Sequence, residues 1–242
     1  MKHIGICDIG KVRDINQDAI LAVSKDDCGL FVVADGMGGH SHGEKASQHI
    51  VQTLNGWWKT FLPEKYDNDF KRMIKAVKQV LEQANREIYH TYNKASTCGS
   101  TVAILFIYHN TYGILYAGDS RVYIYHQWKL RQITMDDIWE NQSNLSVRER
   151  RLCWDYCHGK LLNAVGIKEE IECKITTNEL EEGMVFLLCS DGLYKYCPER
   201  YLRRYMKQAR NGENIEYCCA GLFEEVYRRD AKDNISIVMV RV

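Results

Sequence analysis

Asp35 closes a short apolar run, Phe31-Val32-Val33-Ala34, and a glycine-rich stretch, Gly36-Met37-Gly38-Gly39-His40, follows it. The same design recurs at Tyr116-Ala117-Gly118-Asp119-Ser120-Arg121 and at Leu187-Leu188-Cys189-Ser190-Asp191-Gly192. Asp233 stands just before the closing apolar run at 235–242. Aspartates at the ends of buried strands can point into one crevice, and glycine beside them lets backbone and water approach closely. Oxygen-only ligands favour Mg2+ or Mn2+ over zinc. Three or four such carboxylates can hold two ions about 3.5–4 Å apart, and a water bridging them becomes hydroxide near neutral pH. That hydroxide suits attack on phosphorus, while the ions neutralise charge on the phosphoryl and leaving oxygens. No protein nucleophile is then required.

Each motif alone reads as an ordinary turn, because Asp-Gly and Gly-Asp pairs are common turn formers. Asp119 alone reads as a hairpin cap paired with Arg121. Asp233-Asn234 reads as a turn leading into a strand, and His40 as a surface histidine. Several motifs together, in one chain, carry the signal. A second phosphatase chemistry is also spelled out by Cys7-Asp8-Ile9-Gly10-Lys11-Val12-Arg13, which fits Cys-x5-Arg. There a thiolate would attack phosphorus and the arginine would bind phosphate. Little chain precedes Cys7, and Ile6 stands where a histidine is customary, so this reading ranks as chance overlap.

Strands able to position the acids are expected at 30–34, 100–108, 112–117, 121–126, 185–189 and 235–242. The run from Thr101 to His126 reads as an antiparallel meander. Helical stripes are formed by Ala46, Ile50, Val51, Leu54, Trp57 and Trp58, and by Phe70, Met73, Ile74, Val77, Val80, Leu81, Ala84 and Ile88. Tyr201, Leu202, Tyr205 and Met206 make another, opened by Pro198. The last comprises Ile215, Cys218, Cys219, Leu222, Phe223 and Val226. This order is not a regular βαβα alternation, so the fold class is α+β with mostly antiparallel sheets and helix pairs outside them. Residues 136–160 are polar and lack a clean strand. They read as a flap-like excursion, with Ser146 and Glu149 as a capping box.

The 242 residues, 45% of them hydrophobic, suffice for one sizeable core. A single domain spanning 1–242 is expected. Lys and Arg number 32 against 32 Asp and Glu, so no global field would recruit nucleic acid or a membrane. The ten cysteines are scattered, with no zinc-site spacing, and read as reduced thiols of a cytoplasmic protein. No apolar run is long enough to span a bilayer, and a monomer is the expected state. Arg203, Arg204, Lys207 and Arg210 read as a solvated helix face. Arg148, Arg150 and Arg151 in the flap read as a modest docking site for acidic or phosphorylated protein surfaces.

Taken together, Asp8-Ile9-Gly10-Lys11-Val12-Arg13, Asn16-Gln17-Asp18, the stretch from Val33 to His40 and Gly43-Glu44-Lys45-Ala46-Ser47 resemble the metal-dependent type 2C serine/threonine phosphatases, in their compact bacterial form. Gly99-Ser100-Thr101, Ala117-Gly118-Asp119-Ser120-Arg121, Cys189-Ser190-Asp191-Gly192-Leu193 and Asp233-Asn234-Ile235-Ser236 continue the match in family order. The resemblance implies a sandwich of two antiparallel sheets flanked by helices. It also implies a binuclear Mn2+ or Mg2+ centre that hydrolyses phosphoserine and phosphothreonine in proteins, a serine/threonine kinase among them. By the same resemblance Asp35 bridges the ions, the Gly36 carbonyl binds the second, and Asp191 and Asp233 bind the first. Asp119, with Asp191, matches the place of a third ion. Arg13 matches the arginine that grips phosphate, and Asp18 an acid that orients metal-bound water. Two departures stand out. Gln17 replaces the usual glutamate, removing charge near the second ion, and Thr134-Met135-Asp136-Asp137-Ile138 replaces an Asp-His-Ser-like stretch at the flap. His40 lies in the bacterial-type loop and is a candidate for the general acid proposed in animal relatives, without a clear match to that histidine. A catalytically silent binding module with the same fold is the remaining alternative, and Gln17 is the feature that keeps it alive.

Overall fold

A computed structural model describes residues 1–38, 42–92, 98–142 and 145–242, apart from the side chain of Arg150. The chain begins with β1 (Lys2–Asp8), β2 (Asp18–Lys25) and β3 (Cys28–Met37), then α1 (Gly43–Lys59) and α2 (Phe70–Tyr92). The meander follows as β4 (Gly99–Ser100), β5 (Val102–Tyr108), β6 (Thr111–Ala117), β7 (Arg121–His126) and β8 (Lys129–Gln132). After α3 (Val147–Cys157) come β9 (Lys174–Glu179) and β10 (Val185–Cys189). The chain then passes through α4 (Asp191–Tyr194), α5 (Glu199–Arg210), α6 (Ile215–Tyr227) and β11 (Ile235–Arg241).

All strand pairs are antiparallel. One sheet runs β1-β11-β10-β7-β8 and the other β2-β3-β5-β6-β9, with β4 beside β3. Side-chain alternation along each inner strand sends residues to two different cores. Phe31, Val33, Leu105 and Ile107 meet Phe186, Leu188, Val238 and Val240 between the sheets. The intervening residues Leu30, Val32, Ile104 and Phe106 face Ile50, Leu54, Met73, Val77 and Leu81 of α1 and α2. On the opposite side Leu187, Ile237 and Met239 face Leu202, Met206, Cys219 and Leu222 of α5 and α6. The result is the expected α-β-β-α arrangement. Both faces of each inner strand are covered, so these strands read as continuous apolar runs rather than alternating ones. Each large side chain buried this way contributes about 1.5–3 kcal/mol. At Phe106, ringed by Trp57, Phe61 and Phe70, truncation to alanine would cost about 3–5 kcal/mol.

The polar segment at 136–160 contains α3, opened by the expected capping box. The Ser146 hydroxyl accepts from the Glu149 N–H, and the Glu149 carboxylate accepts from the Ser146 N–H. Its two ends are joined where Leu162 N–H donates to the Asp137 carbonyl (2.8 Å) and Trp139 N–H to the Lys160 carbonyl (2.9 Å). Val147, Leu152 and Tyr156 of α3 are exposed, so the helix projects from the sandwich. Beyond it, the buried Asn85 of α2 holds the returning chain through Gly166 N–H, Lys168 O and Glu169 O.

Candidate active site

The acids meet at the end of the sandwich where β3 outruns its partners. Rather than stopping at Asp35, β3 continues to Met37. Asp35 pairs with Asp18 of β2, and Gly36 with Ser100 of β4. Asp191 is the first residue of α4, directly after β10, and Asp233 lies just before β11. Asp119 sits in the turn between β6 and β7. The Thr101 hydroxyl ties these segments together, lying 2.6 Å from Ser120 Oγ while Thr101 N–H donates to the Asp35 carbonyl. Two glycines make the convergence possible. A Cβ on Gly192 would lie 1.9 Å from the Asn234 carbonyl, and one on Gly36 would lie 2.1 Å from the Gly43 carbonyl. No side chain fits either contact.

Carboxylates this close resist ionising together. Burial pushes the Asp18 carboxyl up to about 6; Asp191 and Asp233 add to the rise, and the hydroxyls of Ser190 and Ser236 oppose it. Ser190 Oγ donates to Asp18 Oδ2 at 2.7 Å. Burial, then Asp18, Asp191, Asp119 and Asp233, hold Asp35 well above the usual carboxylate range. Asp119 is raised by burial and Asp191, and drawn back by Lys195 and the Tyr194 hydroxyl. The Asp35 carboxylate takes no hydrogen bond from the described residues, and the Asp35 backbone N–H donates to Thr101 Oγ1 at 3.3 Å.

Cations of the chain hold two of the other acids. Arg13 forks onto Asp233, Nε to Oδ1 at 2.8 Å and Nη2 to Oδ2 at 2.9 Å. Lys195 Nζ lies 2.6 Å from Asp191 Oδ2. Among the described residues no three acid, histidine or cysteine side chains already close around one point. The donor set nevertheless fits a pair of hard divalent cations. It is made of oxygen alone, it is rich in negative charge, and its central carboxylate lacks a donor.

Arg13, Asp18, Asp35, Gly36, Asp119, Asp191 and Asp233 are thus gathered in one region, while His40 lies outside the described residues. Arg121 does not pair with Asp119. Its guanidinium forks onto Asp136 (2.7–3.1 Å) and lies 3.5 Å from the centre of the Tyr194 ring. Asp119 instead accepts from the Tyr194 hydroxyl at 3.1 Å. Gln17 is embedded by its backbone. Its carbonyl accepts from Gly36 N–H and from Ser47 Oγ, and its amide nitrogen lies against Gly43.

Sequence reasoning missed Asn234 as a structural residue. Its amide donates to the carbonyls of Ile9 (2.9 Å) and Ile15 (3.1 Å), and its Oδ1 accepts from Gln17 N–H (2.9 Å). That clasp shapes the loop carrying Arg13. The Cys-x5-Arg alternative fails here. Although Cys7 has exposed surface, its sulfur takes hydrogen bonds from Asn16 and Ser236. Burial still pushes the thiol up, the reverse of an activated thiolate.

The chain matches the family model for protein phosphatase 2C over residues 11–216. Serine/threonine phosphatase stp of Listeria monocytogenes is 28% identical over 242 residues, covering 96% of this chain and 92% of that protein. Serine/threonine protein phosphatase PstP of Mycobacterium tuberculosis is 26% identical over 246 residues; the chain spans 45% of its length. Among solved structures, PppA of Pseudomonas aeruginosa superposes with a TM-score of 0.79 at 28% identity, covering 99% of this chain and 96% of that one. The catalytic domain of PstP, in complex with two manganese ions, shares the fold at a TM-score of 0.77 and 24% identity, covering 98% and 96%. No helix among the described residues is long and apolar enough to cross a membrane.

Proposed function

This chain belongs to the protein phosphatase 2C family, and on that premise we propose that it hydrolyses phosphoserine and phosphothreonine in proteins with the help of two Mn2+ or Mg2+ ions. The observation that carries this reading is the gathering of Asp18, Asp35, Asp119, Asp191 and Asp233 at one end of the sandwich, with the Arg13 guanidinium forked onto Asp233 beside them. Asp35 would bridge the ions, with Asp191 and Asp233 on one and the Gly36 carbonyl on the other. When bound, the ions supply an activated water for direct attack on phosphorus and offset charge on the phosphoryl oxygens.

The chain's own residues do the rest. Arg13, half exposed at the rim, offers a planar fork that matches two phosphoryl oxygens as readily as it matches the Asp233 carboxylate. Substrate binding therefore exchanges one anion for another on the same guanidinium. Asp18, buried behind Asp35 and held by the Ser190 hydroxyl, stays fixed, which suits a group that orients metal-bound water. Gln17 holds an uncharged amide where the family usually has a carboxylate, so the second ion is expected to bind more weakly. Cys7, a neutral thiol at pH 7, provides no nucleophile, in keeping with hydrolysis that forms no phosphoenzyme.

The proposed catalytic unit is the single domain 1–242, acting as a monomer, with the segment at about 136–160 as a flap beside the site. The relatives' names, serine/threonine phosphatases, support phosphoproteins as substrates, and a serine/threonine kinase is the expected partner. Ten free thiols fit the reducing cytoplasm. The test is phosphate release from a phosphothreonine peptide. Activity should require Mn2+, vanish with EDTA, vanish in Asp35→Asn and Asp191→Asn, and persist in Cys7→Ser. Inertness across a wide Mn2+ range would refute the proposal.

A further inference from the structure

Asp119 and Asp191 lie at the same corner of the site, because Arg121 of β7 pairs with Cys189 of β10 and each aspartate stands two residues beyond that pair at the same end of the two strands. Both are held by donors from a single helical turn. Tyr194 gives its hydroxyl to Asp119 Oδ2 at 3.1 Å. Lys195, the next residue, caps α4 in right-handed helical geometry, its N–H donating to the Asp191 carbonyl. That backbone geometry brings the side chains of residues 191 and 195 to one face, and Lys195 Nζ reaches Asp191 Oδ2 at 2.6 Å.

An exposed ion pair of this spacing is ordinarily worth little. This one differs in its surroundings. Asp191 is only 18% exposed, and the ammonium is attracted by Asp119 and Asp35 as well as by Asp191. Tyr194 is also fixed in place, because the Arg121 guanidinium lies 3.5 Å from its ring centre while forking onto Asp136. Both faces of the corner are therefore occupied by groups that belong to the chain. A divalent ion shared by Asp119 and Asp191 would have to displace a held phenol and an ammonium together.

Given the proposed two-ion centre, we infer that Lys195 is a tethered counter-ion of the acid cluster, standing where Asp119 and Asp191 would otherwise hold a further divalent cation and limiting the chain to two. The resemblance predicts a third ion at that place; here the positive charge is built into α4. Arg13 plays no such part at the Asp233 end, because its fork is needed for phosphate.

The test is a count of Mn2+ taken up by the full chain, by titration calorimetry and by the electron paramagnetic resonance of free Mn2+, in parent, Lys195→Met and Lys195→Arg. The methionine variant keeps the length of the stem and loses the charge. It should take up one Mn2+ more per chain than the parent. Lys195→Arg, which keeps the charge, should reproduce the parent isotherm. Equal uptake by parent and Lys195→Met overturns the role of Lys195 while leaving the two-ion centre standing. No uptake by either refutes the centre itself, and the tethered counter-ion with it.

Discussion

Replacing Asn234 by alanine isolates the clasp that shapes the substrate loop. Asn234 is 5% exposed and makes three hydrogen bonds, donating to Ile9 O and Ile15 O and accepting from Gln17 N–H. Each is worth about 1 kcal/mol net. Ile9 and Ile15 are 38% and 47% exposed, so water can reach their abandoned carbonyls and soften the loss. The expected cost is about 2–3 kcal/mol, which for a chain of this length lowers Tm by roughly 4–12 °C. Thermal unfolding followed by circular dichroism in EDTA measures it without any contribution from bound ions. Asn234→Asp is the sharper control. It keeps an acceptor for Gln17 N–H but turns a carboxylate oxygen toward two carbonyls, beside Asp233, so it should be no more stable than the alanine variant. In Mn2+ the loosened loop should also raise KM for a phosphopeptide, since Arg13 is carried between the clasped residues. An Asn234→Ala chain melting within about 1 °C of the parent, or an aspartate variant as stable as the parent, would refute the clasp.

Other consequences follow from the same geometry. Gly192→Ala places a Cβ 1.9 Å from the Asn234 carbonyl, so the chain must shift beneath Asp191; a loss of several kcal/mol in urea unfolding together with weakened Mn2+ binding is expected, and parent-like stability would contradict the close packing. Asp18 has a folded-state pKa raised to about 6 from 3.8, so in EDTA its contribution is fully present below about pH 4 and is lost as pH rises through 6. Parent stability should therefore fall relative to Asp18→Asn between those pH values, and a pH-independent difference between the two chains would exclude the shift. Replacing Arg148, Arg150 and Arg151 by alanine should raise KM for protein substrates and leave small aryl phosphates unaffected. Equal effects on both would remove the flap from substrate docking.

The helices were legible because their apolar stripes are wide and uninterrupted. Phe70 to Ile88 and Ile215 to Val226 each bury one face against a sheet, and periodicity reports that directly. The central strands were legible for the opposite reason, being apolar on both sides. The missed strands are β1, β2, β8 and β9, and these are the four outermost strands of the two sheets. Lys129-Leu130-Arg131-Gln132 and Lys174-Ile175-Thr176-Thr177-Asn178-Glu179 are largely exposed and carry no pattern that distinguishes them from loops. A neighbour with unpaired backbone groups makes them strands.

The same division holds at the site. The aspartates announce themselves through local chemistry, an acid beside glycine after an apolar run, and that is written in consecutive residues. Which partner each acid takes depends on residues far away along the chain: Arg13 reaches Asp233, Tyr194 reaches Asp119, and Arg121 passes over Asp119 for Asp136. Asn234 looked like one half of a turn because its three partners lie more than two hundred positions earlier. Residue type and local order are properties of short stretches and survive without a fold. Pairing among charged and polar groups is decided by which of them share a low-dielectric crevice once the sheets have packed, and only the folded chain brings them there.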